Sequence, residues 1–197
     1  ATPVALLGAV FQMVSHGLIS ALLFLLVGIV YRKTGTRDLS VLHGLLNPER
    51  GLPFTGTLMI LGVMASAGMP GMAGFISEFM VFRGSITAFP LATLLSMVGS
   101  GLTAVYFLLL VNRAFFGRLA VTPANDAITD GRLDVRLAAV APRETIPAMG
   151  LAFAVVAIGL LPSGLGKLSE VASTSMAQLP ALVAAMQLAA LHPWGLG

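Results

Sequence analysis

The chain has 197 residues, of which 57% are hydrophobic and only 10% charged, with a mean hydropathy of +0.95. A soluble domain carries about a quarter charged residues, so this exterior faces a solvent other than water, and the bilayer is that solvent. The lack of cysteine excludes disulfides and thiolate metal sites, and the eleven Lys and Arg form no basic, aromatic-rich face of the kind that binds nucleic acid.

The first apolar run, about Val4 to Tyr31, is interrupted only by Gln12, Ser15, His16 and Ser20, and it ends at Arg32 and Lys33. It exceeds the roughly 20 residues a helix needs to cross a bilayer, which predicts a tilted or projecting span. The chain begins with Ala1 rather than Met, and it has neither the basic segment nor the cleavage site of a signal peptide. It reads as the tail end of a longer membrane protein. The connection from Arg32 to Gly51 contains TRDLSVLHGLL, in which Asp38 is the expected N-cap of a short interfacial helix.

The stretch Leu52 to Phe89 is 38 residues long. As one straight helix it would measure roughly 57 Å, too much for one crossing and too little for two with a turn. Its middle is GMPGMAG, with Gly68, Pro70, Gly71 and Gly74. Proline removes a backbone donor and clashes with the preceding turn, and glycine weakens a helix further. The expectation is a broken helix with halves near 53–68 and 72–86. Unwound backbone at membrane depth is tolerated only where protein or a water-filled cavity surrounds it, and such breaks mark transport sites.

A third span is expected at about Pro90 to Val111. The polar segment from Asn112 to Arg143 follows, containing the loop TPANDAITDGRLD. A fourth span, about Glu144 to Leu161, stops at Pro162–Gly164. The tail, 163–197, includes LPALVAAMQLAAL, too short to span and expected as an interfacial or packed helix. The predicted fold is an all-α polytopic transmembrane bundle of about four spans over residues 1–162, one of them discontinuous, followed by that tail. Four crossings put the 32–51 and 112–143 connections on one side, with nine Lys and Arg, and leave Arg83 and Lys167 on the other. The positive-inside rule makes the nine-charge side cytoplasmic.

Glu78 is the first candidate for chemistry, because a charged carboxylate at membrane depth costs at least ~3 kcal/mol and usually faces the bundle interior. It could load and release protons; it could equally snorkel to the interface or pair statically with Arg83. His16 is the second. Gln12, His16 and Ser20 recur every four residues and form one polar stripe, and histidine titrates near physiological pH, although a lone histidine also serves as an interior hydrogen-bonding group. Thr93, Ser96, Ser100 and Thr103 share helical spacing, which in lipid serves helix packing or lines a wet path. No metal motif or nucleotide loop is visible.

Four segments, SHGLISALLFLLVG (15–28), GTRDLSVLHGLLNPERGLP (35–53), MASAGMPGMAGFISEFMVFRGS (64–85) and GLTAVYFLLLVNRAFFG (101–117), resemble the antiporter-like subunits of respiratory complex I and of its photosynthetic counterpart. The resemblance covers about residues 4–162 and implies the last four of fourteen helices of such a subunit. Sister subunits carry lysine where this chain has Ser20 and tend to carry lysine where it has Glu78; both choices resemble the subunit-4 type. NPERGLP, ISEFMVFRGS and TAVYFLLLVNRAFFGRL further resemble cyanobacterial variants tied to carbon dioxide uptake.

The resemblance implies a proton-translocating membrane subunit of an NAD(P)H or ferredoxin:quinone oxidoreductase, with no redox cofactor in this chain. Its partners would be the other membrane subunits, the lipid bilayer and protons, and its place a cyanobacterial thylakoid membrane or a bacterial plasma membrane. Glu78 would correspond to the terminal proton-channel glutamate and His16 to a histidine on the central hydrophilic axis. The family's glutamate–lysine pair and central lysine would lie upstream of Ala1. A subunit of a multisubunit sodium/proton antiporter is the alternative, and a non-transporting structural module a third reading.

Overall fold

The computed structural model describes residues 2–119 and 137–167, together with 174–175, 178–179 and 181–182. Five helices follow one another: α1 (Pro3–Thr34), α2 (Pro53–Ser66), α3 (Ala73–Ser85), α4 (Pro90–Phe115) and α5 (Pro142–Leu160). α1, α4 and α5 are each long and apolar enough to cross a membrane, while α2 is apolar but shorter. The TPANDAITDGRLD loop and most of the LPALVAAMQLAAL segment lie outside the described residues.

α1 has 32 residues, about 48 Å at 1.5 Å per residue. Thr2 caps its start by accepting a hydrogen bond from the Ala5 N–H, and Gly35 ends it in the left-handed region at φ 73°. Arg32 and Lys33 occupy the last turn, where the helix dipole favours cations.

α2 and α3 are the two halves of the broken helix, with 14 and 13 residues. Each is about 20 Å long and crosses nothing alone. Between them Gly68 and Gly71 take φ values of 72° and 88°, which a residue with a side chain adopts only under strain. The break is packed on two sides. A Cβ on Gly74 would stand 2.2 Å from the Ala65 carbonyl oxygen, and one on Gly159 of α5 would stand 2.4 Å from the Gly71 carbonyl oxygen. Protein thus covers the unwound backbone on these two sides, while Met69 and Pro70 stay exposed.

α1 packs most extensively on α3. Their crossing is close because Gly8 faces α3 backbone: a Cβ there would lie 2.7 Å from the Val81 nitrogen. Small residues at such crossings let backbones approach in lipid, where dispersion drives association in place of the hydrophobic effect. The apolar core gathers at the other end of α1, around Leu22, Leu26, Met59, Val63 and Phe115. α4 is different. Only Thr93, Val111, Ala114 and Phe115 are buried, and Leu91, Leu95, Leu102 and Leu108 are each more than 60% exposed.

The connection after α1 corrects one expectation: Asp38 caps no helix. Its carboxylate accepts hydrogen bonds from the Ser40 N–H and hydroxyl, both at 2.8 Å, and closes a turn. Further on, the N–H groups of Gly44, Leu45 and Leu46 bond to the carbonyls of Phe116, Ala114 and Phe115. Those carbonyls are the orphans at the end of α4. The donors that an interfacial helix would have used internally are committed to capping α4 instead, while Leu42 and Leu45 plug into the core.

Candidate functional site

Glu78 lies on the second turn of α3, and its side chain reaches back toward the start of the helix, as helical side chains do. The carboxylate therefore arrives at the break. A Cβ on Gly68 would stand 2.9 Å from Glu78 Oε2, so the glycine leaves the space that this oxygen occupies. From the other side, the Ser100 hydroxyl of α4 donates to the same oxygen at 2.8 Å. Among the described residues no cation pairs with Glu78, Arg83 included.

Glu78 also faces a cavity of about 280 Å³, lined by Gln12, Val81, Phe82, Ser96 and Ser100. A void of this size with four polar side chains on its wall meets the requirements for ordered water, which needs room and two to four polar partners. Behind it lies a small hydroxyl cluster. Ser77 donates to Gln12 Oε1 and contacts the Ser15 hydroxyl at 3.1 Å, with both serines fully buried between α1 and α3. Gln12 thus belongs both to the cavity wall and to the buried cluster.

The expected stripe of Gln12, His16 and Ser20 is divided by the structure. Gln12 turns inward to Ser77 and the cavity. His16 is exposed on the outer face of α1, does not line the cavity, and has its Nε2 3.4 Å from the Ser20 hydroxyl. Spacing of four drifts by about 40° per step around a 3.6-residue turn, so three such positions straddle a helix contact. The α4 set divides in the same way. Ser96 and Ser100 line the cavity, whereas Thr103 is partly exposed and bonds back to the Gly99 carbonyl at 3.1 Å. Thr93 is buried and bonds back to Phe89. Of the break residues, Gly68 touches the site, Gly71 and Gly74 hold the break against α5 and α2, and Pro70 sits in the turn between them.

Three residues escaped the sequence reading. Ser15 was read only as a polar interruption and Ser77 was not singled out, yet Ala5, Gly8 and Ser15 mark a row of small residues on the inward face of α1, which is the signal that could have found Ser15. The third is Glu144, only 5% exposed at the start of α5. Arg32 pairs with its Oε1 at 2.9 Å, and its Oε2 accepts from the Ala141 N–H at 3.1 Å. Lys33 donates to the Ala139 carbonyl at 2.8 Å, so the end of α1 grips the start of α5 twice.

The family described as NADH:quinone oxidoreductase/Mrp antiporter, TM, matches residues 1–103. NAD(P)H-quinone oxidoreductase chain 4 2 of Thermosynechococcus vestitus is 35% identical over 89% of this chain and 32% of its own length. Chain 4 3 of Trichormus variabilis is 34% identical over 97% of this chain and 36% of its own. NADH-quinone oxidoreductase subunit M of Escherichia coli is 40% identical over 56% of this chain and 21% of its own. The chain spans about a third of the length of the first two relatives. Its fold is that of a chain in the respiratory complex I structure from Thermus thermophilus, with TM-score 0.73 and 24% identity over 88% of this chain and 34% of that one. It is also that of a chain in the Mrp complex from Dietzia, with TM-score 0.68 and 24% identity over 87% of this chain and 38% of that one. An apolar helix bundle with a broken helix and a family match over more than half its residues, the chain is an integral membrane protein of the NADH:quinone oxidoreductase/Mrp antiporter family.

Proposed function

We propose that this chain is part of a proton-translocating membrane subunit of an NAD(P)H:quinone oxidoreductase, and that Glu78 is the group that takes up and releases the proton. The observation that carries this is the setting of the carboxylate. It is held at a helix break by a neutral hydroxyl, Ser100, beside a polar cavity, and no cation pairs with it among the described residues. A carboxylate without a fixed counter-charge changes protonation at little cost when its surroundings change, whereas one paired with a cation is held ionised.

In this reading electron transfer occurs in other subunits, and the field or hydration change it causes reaches Glu78 through the polar groups along the bundle. Gln12, Ser96 and Ser100 hold the water through which Glu78 exchanges its proton. Ser77 and Ser15 fix Gln12. His16 offers its exposed ring to whatever covers the outer face of α1. The basic connections, 32–51 and 112–143, face the cytoplasmic or stromal side.

The names of the chain 4 relatives support the quinone-linked assignment, and their cyanobacterial sources support a thylakoid location. The carbon dioxide-uptake subtype rests on the NPERGLP, ISEFMVFRGS and TAVYFLLLVNRAFFGRL segments; loss of carbon dioxide uptake on deletion of the gene is its expected mark. The Mrp likeness favours a second reading, a sodium/proton antiporter subunit. Vesicles containing the intact complex separate the two: quinone reduction drives proton translocation in the first reading, and a sodium gradient drives it without quinone in the second. Glu78→Gln keeps the shape of the side chain and removes its proton. Translocation should fall to background with the complex still assembled, and wild-type translocation in that variant refutes the role of Glu78.

A further inference from the structure

A second cavity lies about 22 Å along α1 from Gln12, at the 15-residue remove of Val27. Its volume is about 180 Å³ and nine of its ten lining residues are apolar, among them Val30, Leu45, Met59, Leu110 and Phe115. The tenth is Arg37. Apolar cavities on the order of 150 Å³ stay dry and accept hydrocarbon guests. This one therefore differs in kind from the cavity at Glu78.

Its position fixes what can reach it. Val30 and Phe115 lie within about a turn of the ends of α1 and α4, and the connection that roofs it caps the end of α4. Helix ends of membrane spans lie at headgroup depth, so the cavity opens where lipid tails meet their headgroups. Arg37 sits at this level with its guanidinium 4.9 Å from the centre of the Tyr31 ring, exposed and free of any carboxylate among the described residues. The aromatic face orients the cation without neutralising it. The same end of α1 and α4 and the connection between α1 and α2 carry Arg32, Lys33, Arg50, Arg113 and Arg118 against Asp38 and Glu49, with Arg32 paired to Glu144 at the start of α5. Basic clusters next to membrane spans recruit anionic lipid headgroups.

We propose that this cavity seats one acyl chain of an anionic phospholipid whose phosphate is held by Arg37. A free anion has no reason to enter an apolar void, and an uncharged hydrocarbon has no use for Arg37. The combination selects a ligand with both parts. Such a lipid would cement α1, α2 and α4 at the end where three of the four buried residues of α4 lie, and so anchor the helix that carries Ser100.

The intact complex is reconstituted with phosphatidylglycerol or with phosphatidylcholine of the same chains, and retained lipids are counted by native mass spectrometry during stepwise delipidation. Wild type should keep one more phosphatidylglycerol than Arg37→Gln and than Ala114→Leu, which fills the cavity. Arg37→Lys should keep it with about tenfold weaker retention. Phosphatidylglycerol should raise the melting temperature of wild type and not of Arg37→Gln. Equal retention in all variants overturns the proposal. So does equal retention of phosphatidylcholine, which would make the cavity a chain slot without headgroup recognition, and so does stabilisation of wild type by inorganic phosphate alone.

Discussion

Glu78 and Glu144 are both carboxylates on apolar helices of the same bundle, and their surroundings differ in kind. Glu144 is the more deeply buried, yet it has a cation beside it, with Arg32 2.9 Å from its Oε1 and the Ala141 N–H bonded to its Oε2. Glu78 is only half-buried, but it is bonded by a neutral hydroxyl and opens on a polar cavity. Depth alone does not make a proton carrier. The difference lies in the partner: a fixed cation stabilises the charged form of a carboxylate and a neutral hydroxyl does so far less, which is what the proposed role of Glu78 draws on.

The comparison breaks first at Glu78. Glu78→Gln should abolish proton translocation while leaving thermal stability within error, the reverse of what a structural carboxylate would show. At Glu144 the expectation inverts. Arg32→Ala strands a buried anion and should lower stability by about 2 kcal/mol, a figure already reduced for the exposure of Arg32, with proton translocation per quinone unchanged; a melting curve and a pumping assay on one preparation read both. Gly68→Ala should cost about 1–2 kcal/mol from the left-handed backbone alone. It should also push the carboxylate off its seat, so translocation falls further than the stability loss explains. Ser100→Ala should cost about 1 kcal/mol or less and slow translocation several-fold without abolishing it, with Ser100→Thr restoring most of the rate. The smallest effect is at Asp38, whose carboxyl is held below its usual range by hydrogen bonds from the Ser40 backbone and hydroxyl. A depressed value means that the turn is supported above the ordinary carboxylate range and loses support as pH falls through the depressed one. Hydrogen exchange at the Ser40 amide should therefore quicken only in that acid window.

The helices and their break were legible because they depend on local chemistry. An apolar run of given length, a proline among glycines and a cluster of basic residues each carry their meaning without reference to the rest of the chain. The site was legible only as a list. Glu78 stood out by cost, but which serines meet it depends on how α3 and α4 rotate against each other, and helices that are apolar all round offer no periodicity from which to read rotation. That is why Ser100 and Thr103 looked equivalent and are not, and why Gln12 and His16 looked like one stripe. Ser77 was missed because nothing distinguishes a serine that bonds back to its own helix from one that also reaches across a contact. Asp38 misled because its side chain was read as a cap without asking where the neighbouring backbone donors were needed.

The contact of Gly159 with the Gly71 carbonyl bears on how the protein is made. α5 emerges from the ribosome last among the five helices, so until then the uncoiled backbone between α2 and α3 has one side open to lipid, with polar groups that hydrocarbon cannot satisfy. One side of the break is thus closed by a helix made after both of its halves. In a chain stopped after residue 141, α1 and α4 should insert normally while a single cysteine placed at Met72 reacts faster with a membrane-permeant thiol reagent, and supplying α5 as a separate polypeptide should slow that reaction again.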